Sequence, residues 1–396
     1  MTTFDAAGLR KWARSSLDRV LMPYVDRAAD ATTARLTHAG AVPLTDDVVS
    51  GAAILRDFNH LLHELRTVEL SRMPGNVQTL LSAGCAGLWY FDWIRDAYGP
   101  VERHIGLEYY SPRPDELPAG VEWIVNTVGD MSGVPDDTAD LVFSGQNVEH
   151  LWPEEIVGFL AESARVLRPG GTLVVDSPNR LVTSRLGWTH PEHTIEFSPS
   201  EAVELLTTAG FDVKVCRGVW QCADDADGLP EPLDASFDLH AIIRRSVRAA
   251  ADPDHSFVWW IEATVGSVPV DRDAVRTFVD ACFERHWHDR IHRHARRPDG
   301  SIPASVSVDG HGYRTAGFPL APGSWELTGP ADGATATLER ADGTPIAGVE
   351  TRHADGTVAT VHAVDATIFD ARIVVQRRGA LGGSVDIALP RLHRLE

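Results

Sequence analysis

The sequence predicts an α/β chain: a doubly wound, mostly parallel sheet behind an N-terminal helical cap, followed by a C-terminal antiparallel β-sandwich. Three observations carry that prediction. An apolar run breaks into closely spaced glycines at Val77–Gly87, VQTLLSAGCAG, strand-like runs then alternate with amphipathic helices to about residue 266, and beyond residue 300 short alternating runs are separated by turn pairs. The expected organisation is a cap over 1–74, a sheet-bearing domain over 75–266, a linking helix over 267–300 and the sandwich over 301–396.

Residues 5 to 38 and 46 to 70 show helical spacing, as in Ile54, Phe58, Leu61, Leu62 and Leu65. Such a cap either covers a substrate cleft or packs on the sheet edge. Residues 77 to 82 read as a buried parallel strand, Gly84 and Gly87 permit a tight turn, and LWYFDWIRDAY supplies a helix whose N-terminal N–H groups face a nucleotide-like ligand. The second run, HIGLE, ends in Glu108, where a carboxylate at a strand tip can accept both hydroxyls of a ribose. VEWIVN, followed by Gly129-Asp130-Met131, reads as a third strand, ADLVFSGQNVEHL as a fourth with its loop, EEIVGFLAESARVL as a helix and RPGGTLVVDSPN as a turn and fifth strand. CADDADGLPEPLDASFD has the content of a solvated loop, SFDLHAIIRRSVRAA of a helix and FVWWIEATV of a further strand.

Past residue 266, DAVRTFVDACFERHWHDRIHRHARR reads as one helix, carrying His286, His288, His292 and His294. Only His288 and His292 share a face, so a His-rich surface helix explains them better than a metal site. SWELT, ATATLE, TVATVHAV, ARIVVQ and SVDIAL follow, separated by Asp342-Gly343, Asp355-Gly356 and Gly382-Gly383. A sandwich placed there serves either as a carbohydrate-contacting module or as the surface of a homodimer.

Composition narrows the function. A formal charge of −20 over 396 residues argues against nucleic acid, because phosphate contacts need clustered Lys and Arg. Cys85, Cys216, Cys222 and Cys282 lack paired metal-ligand spacing and fit a reducing compartment. The opening residues lack the apolar core of a signal peptide and no run reaches membrane-spanning length, so the expectation is a cytoplasmic protein without membrane insertion.

The ordered series resembles the class I S-adenosylmethionine-dependent methyltransferases over roughly residues 75 to 265. LLSAGCAG looks like the glycine-rich first motif of that family, Glu108 like its ribose-binding acid and Gly129-Asp130-Met131 like its adenine-contacting segment. The RVLRPGG turn matches as well, HTIEFSPSEAVELLTTAGFDVKV looks like the family's helix leading through Ala209-Gly210-Phe211 into its sixth strand, and FVWWIEATV resembles the antiparallel seventh strand that completes the family's Rossmann-like seven-stranded sheet. The resemblance implies S-adenosylmethionine as cofactor, held by Ser82, Gly84, Cys85, Gly87, Glu108, Asp130, Met131 and Gln146. Two positions depart from the pattern: Ser82 stands where the family usually carries an acid, and Ala86 where it carries a glycine. Ser82 is expected on the methionine amino group or its water, and Cys85 is read as packing rather than as a nucleophile.

Methyl transfer from a sulfonium is an in-line displacement, so a hydroxyl acceptor must be aligned and lose its proton as the bond forms. His150 is the first choice of base, with Glu149 beside it. An alternative is that His150 orders its loop. His190 and His193, in THPEHTIEF, come second, and their segment resembles the substrate-facing loop of sugar methyltransferases. Asp176 and Glu149 could hold a Mg²⁺ ion on a sugar diol, without any distinctive spacing. The expected acceptor is a sugar or oligosaccharide hydroxyl, by resemblance to O-methyltransferases of bacterial glycan and polysaccharide assembly, with a mannoside-type precursor as one form. Alternatives are tailoring of an aminosugar or secondary metabolite, and a non-catalytic scaffold that binds a glycan or a partner.

Overall fold

The computed structural model describes residues 63, 65–185, 190–221, 247–297, 301–309, 311–329, 334–353, 358–377 and 384–395. Most of the expected N-terminal cap, the acidic loop 222–238, Cys222 and the turn pairs at 355–356 and 382–383 lie outside the described residues. Within them the chain divides into two compact units, one built on the seven-stranded sheet and the other on the C-terminal strands.

In the first unit the strands run in the order β3-β2-β1-β4-β5-β7-β6. These are β1 (Thr79–Ala83), β2 (Arg103–Glu108), β3 (Val121–Val125), β4 (Ala139–Gly145), β5 (Leu167–Pro178), β6 (Asp212–Gln221) and β7 (Ser256–Thr264). All neighbours are parallel except those of β7, which runs antiparallel to both β5 and β6. β1 lies between β2 and β4 with every residue buried, which is why TLLSA carries no alternation. The chain leaves β1 toward β2 on one side and returns to β4 on the other, so the order reverses between β1 and β4. A doubly wound sheet opens its ligand crevice beyond the C-terminal ends of its strands at such a reversal.

The helices that cover this sheet are α1 (Leu88–Ala97), α2 (Pro153–Val166), the short α3 (Arg180–Arg185) and α4 (Pro199–Thr208). α1 buries Tyr90, Phe91, Trp93, Ile94 and Ala97 along one stripe. α4 starts with a capping box: Ser198 Oγ accepts from Glu201 N at 3.2 Å, and Ser198 N donates to Glu201 Oε2 at 2.8 Å. Trp259 and Trp260 on β7 are both buried in the core.

The second unit contains the sandwich expected at the C-terminus. One sheet is β10-β15-β12, with β9 also paired to β15, a second is β13-β14-β11-β17, and β16 pairs β8. The ranges are β8 (Ser305–Val308), β9 (Tyr313–Arg314), β10 (Phe318–Leu320), β11 (Gly323–Thr328), β12 (Ala334–Glu339), β13 (Gly348–Arg352), β14 (Val358–Val364), β15 (Ile368–Arg377), β16 (Val385–Ala388) and β17 (Arg391–Leu395). The pairings among them are antiparallel.

The boundary between units differs from the one expected. α5 (Arg272–His292) does not serve as a separate linker: from Asp280 onward it belongs to the C-terminal unit, together with residues 149–152, 183–185 and 190–196. The physical reason is apolar. Trp287 and Ile291 from α5 and Trp152 from the loop after β4 join Trp325, Phe318, Leu320 and Ile373 in one buried cluster. Trp287 also donates its indole N–H to Leu392 O at 3.0 Å. The expectation of a His-rich surface helix fails at His292, which is fully buried because both ring nitrogens find partners: Nδ1 pairs with the Tyr313 hydroxyl at 2.7 Å and Nε2 with Pro390 O at 2.8 Å.

Candidate functional site

The turn after β1 is tight, and backbone and side chains approach one another closely in it. Gly84 has φ +84°, and a Cβ there would lie 2.9 Å from Asn147 Oδ1. Ala86 adopts the left-handed region at φ 49°, and Gly87 precedes α1, which has no side-chain cap and no acid in its first turn. The positive end of α1 is thereby left for an anionic or polar ligand. Glu108, buried at the end of β2, ties this turn in place. Its Oε2 accepts from Ala86 N at 2.8 Å, and its Oε1 accepts from Tyr110 N at 2.8 Å and Ser111 N at 2.9 Å.

Cys85 packs inward beside Gly106, where a Cβ would stand 2.7 Å from its Sγ. Burial, reinforced by the charge of Glu108, pushes its thiol above the ordinary range, so it remains protonated and unreactive. Ser82 is placed otherwise than expected: its hydroxyl lies 2.8 Å from His104 Nε2, in a buried pair between β1 and β2. Asp130 folds its own turn by accepting from Ser132 N at 3.0 Å. Met131 is fully buried, and its N–H donates to Glu162 Oε2 at 3.0 Å.

At the end of β4, Gln146 takes φ 54°, a strained value for a residue other than glycine. Its amide donates to Asp176 Oδ1 at 2.6 Å. The other Asp176 oxygen meets Arg66, with Nε and Nη2 at 3.0 and 2.9 Å, and both partners are buried. Arg66 also lies over the Trp93 ring, 4.9 Å from its centroid. A carboxylate engaged on both oxygens by a cation and an amide is an internal ion pair rather than a metal ligand.

The second unit gathers the remaining sequence-predicted residues. Glu149 and His150 lie in the loop after β4, His190 and His193 in the segment before α4. Their rings converge: His150 is 4.8 Å from His193 and 5.9 Å from His190, centroid to centroid, and His190 stacks on His193 at 4.6 Å. His150 Nδ1 lies 3.2 Å from Glu192 O, and His193 Nδ1 lies 2.9 Å from Glu196 Oε1. Glu196 in turn pairs with Arg293 at 3.1 Å and accepts from Thr183.

Burial dominates the electrostatics of this cluster. It lowers the proton affinity of His150 against the opposing pull of Glu192, and it lowers that of His193 well below the usual range, with His190 adding to the effect. For Glu196 burial works upward, but Arg293, His193 and Thr183 outweigh it and hold the carboxyl below its ordinary range. The stable arrangement is two neutral imidazoles beside a charged carboxylate.

Sequence reasoning missed Arg66, His104, Glu196 and Arg293. Glu196 had a signal, the i,i+3 spacing from His193 within HTIEF. Arg66 had none, because 110 residues separate it from Asp176.

The sheet order with its single antiparallel strand, the glycine turn and the acid closing β2 define a Rossmann-like methyltransferase domain, and the comparisons agree. Residues 81–175 match the family model described as methyltransferase domain. A probable S-adenosylmethionine-dependent methyltransferase of Mycolicibacterium smegmatis is 33% identical over 216 residues, 54% of this chain and 80% of that protein. A probable S-adenosylmethionine-dependent methyltransferase of Mycobacterium tuberculosis is 43% identical over 86 residues, 21% of this chain and 31% of its own length. A solved SAM-dependent methyltransferase from Archaeoglobus fulgidus is 20% identical, covers 51% of this chain and 94% of its own, and has a TM-score of 0.38. The chain belongs to the S-adenosylmethionine-dependent methyltransferases. Among the described residues no helix is long and apolar enough to cross a membrane.

Proposed function

We propose that this methyltransferase acts on a hydroxyl of a sugar or oligosaccharide, with Gly84, Gly87 and Glu108 holding the cofactor. S-adenosylmethionine supplies an electrophilic methyl group when bound. The observation that carries the hydroxyl reading is the convergence of His150, His190 and His193 with Glu149. A neutral amine already offers a lone pair, whereas an aliphatic hydroxyl must shed its proton as the new bond forms. A group of neutral imidazoles meets that need. In this reading His150 takes the proton and Glu196, through its hydrogen bond, fixes the ring of His193. The sugar class is supported by the resemblance of the THPEH loop to sugar methyltransferases and by the appended sandwich, not by Trp259 or Trp260, which are core.

The test is a labelled-methyl transfer screen over monosaccharides, oligosaccharides, aminosugars and small amines. Label on a sugar oxygen, with turnover reduced at least about 100-fold in His150→Ala at unchanged cofactor affinity, is the expected result. Label on nitrogen alone would overturn the hydroxyl reading, and undiminished turnover in His150→Ala would move the base to His190 or His193.

A further inference from the structure

We infer that Glu149, His150 and His193 form a site for a borderline divalent transition-metal ion of the Zn²⁺ type. The inference goes beyond the methyl-transfer reading and does not depend on it. One ring nitrogen from each histidine and one carboxylate oxygen from Glu149 lie within 4.8 Å of one another. Donors bound to one ion at about 2.1 Å sit at most about 4.2 Å apart, so small side-chain rotations close the set.

The surroundings of the two rings point the same way. His150 has its Nδ1 against the Glu192 carbonyl and His193 has its Nδ1 against the Glu196 carboxylate. An acceptor at Nδ1 selects the tautomer with the proton there and places the lone pair on Nε2, the arrangement in which outer carboxylates and carbonyls orient metal-binding imidazoles. Glu196 is held in its turn by Arg293 and Thr183, so the ring of His193 is fixed through two layers. Two imidazoles and one carboxylate favour Zn²⁺, Fe²⁺ or Co²⁺, whereas Mg²⁺ and Ca²⁺ prefer all-oxygen sets. Three protein donors leave coordination positions open for an oxygen of an acceptor. A ring nitrogen on the ion cannot accept a proton, so the base role given to His150 above belongs to the metal-free protein, and in the loaded protein His190 is the histidine left for base chemistry.

The experiment uses the untagged full-length chain, stripped with chelator and titrated with Zn²⁺ against a chromophoric competitor, with bound metal counted by mass spectrometry. Co²⁺ loading gives a second readout through its d–d absorption. We expect one tightly held equivalent, weakened at least 10-fold in Glu149→Gln and in His193→Ala, and 10- to 100-fold in Glu196→Gln, which keeps every ligand but loosens one ring. His286→Ala and His288→Ala should leave it unchanged. Circular dichroism melts show whether each variant is folded. A folded wild-type protein that retains well under one equivalent overturns the inference, as does an equivalent lost in His288→Ala or retained undiminished in a folded Glu149→Gln/His193→Ala double variant. Methyl transfer is scored separately, so failure of the metal site and failure of the acceptor reading remain distinct results.

Discussion

The carboxylate of Glu108 accepts a hydrogen bond from the backbone N–H of Ala86 at 2.8 Å, which fastens the tip of β2 to the turn between β1 and α1. Glu108 therefore has two tasks, shaping the turn and, in our reading, gripping the ribose of the cofactor. Glu108→Ala should lower S-adenosylmethionine affinity at least about 10-fold in calorimetry, equivalent to about 1.4 kcal/mol. Glu108→Gln keeps an oxygen for Ala86 and should fall between the two. An unchanged Kd in Glu108→Ala would remove the pocket from this position.

Ala86 holds φ 49° where a Cβ is unfavourable, at a position where the family pattern has glycine. Ala86→Gly should relieve roughly 1 kcal/mol of strain, partly offset by the greater freedom of glycine in the unfolded chain. We expect a melting temperature equal to or above wild type and cofactor affinity at least as high. A clear loss of stability would show that the turn is not strained.

Much of this was legible in the sequence because the central strands are apolar throughout. TLLSA, HIGLE and ADLVFSG are buried nearly end to end, and a strand with both faces covered leaves an unbroken apolar run. Five strands of the sandwich were not legible. GVETR of β13 is almost wholly exposed, RLHRL of β17 mixes Arg and His with its two leucines, and β8, β9 and β10 span four residues or fewer. The unit boundary was hidden for another reason. Trp152 stands two residues after His150, and nothing local reveals that it packs with Trp287 and Trp325, at 6.0 and 5.5 Å between ring centroids. In the candidate site, residue types that announce their chemistry, such as Glu108 and His150, stand out in the sequence, whereas Arg66 is defined only by a partner brought in by the fold.

The Arg66–Asp176 pair is buried, so removing one member leaves an uncompensated charge in a low-dielectric setting. Asp176→Asn should cost about 3–5 kcal/mol in denaturant unfolding. Replacing both, as Arg66→Met with Asp176→Leu, should recover most of that loss. A small penalty for the single change would mean that water reaches the pair.

His104 gives a pH dependence with a definite sign. Burial between the sheet and Phe91 lowers its pKa from 6.5 to about 3, while in the unfolded chain it titrates near 6.5. Below pH 6.5 the unfolded state binds a proton that the folded state refuses, so the contribution of His104 is complete above 6.5 and is lost as pH falls toward 3. Between pH 6.5 and 5 the loss is about 2 kcal/mol for one such group. His292, also lowered to about 3 by burial, adds a similar slope. His104→Gln cannot take up that proton, and its glutamine amide can still meet the Ser82 hydroxyl. Chemical unfolding of wild type and His104→Gln across this window should therefore give a shallower fall for the variant. Parallel curves would mean that His104 is hydrated in the folded protein, and the Ser82 pair would then not be the sealed contact that its burial implies.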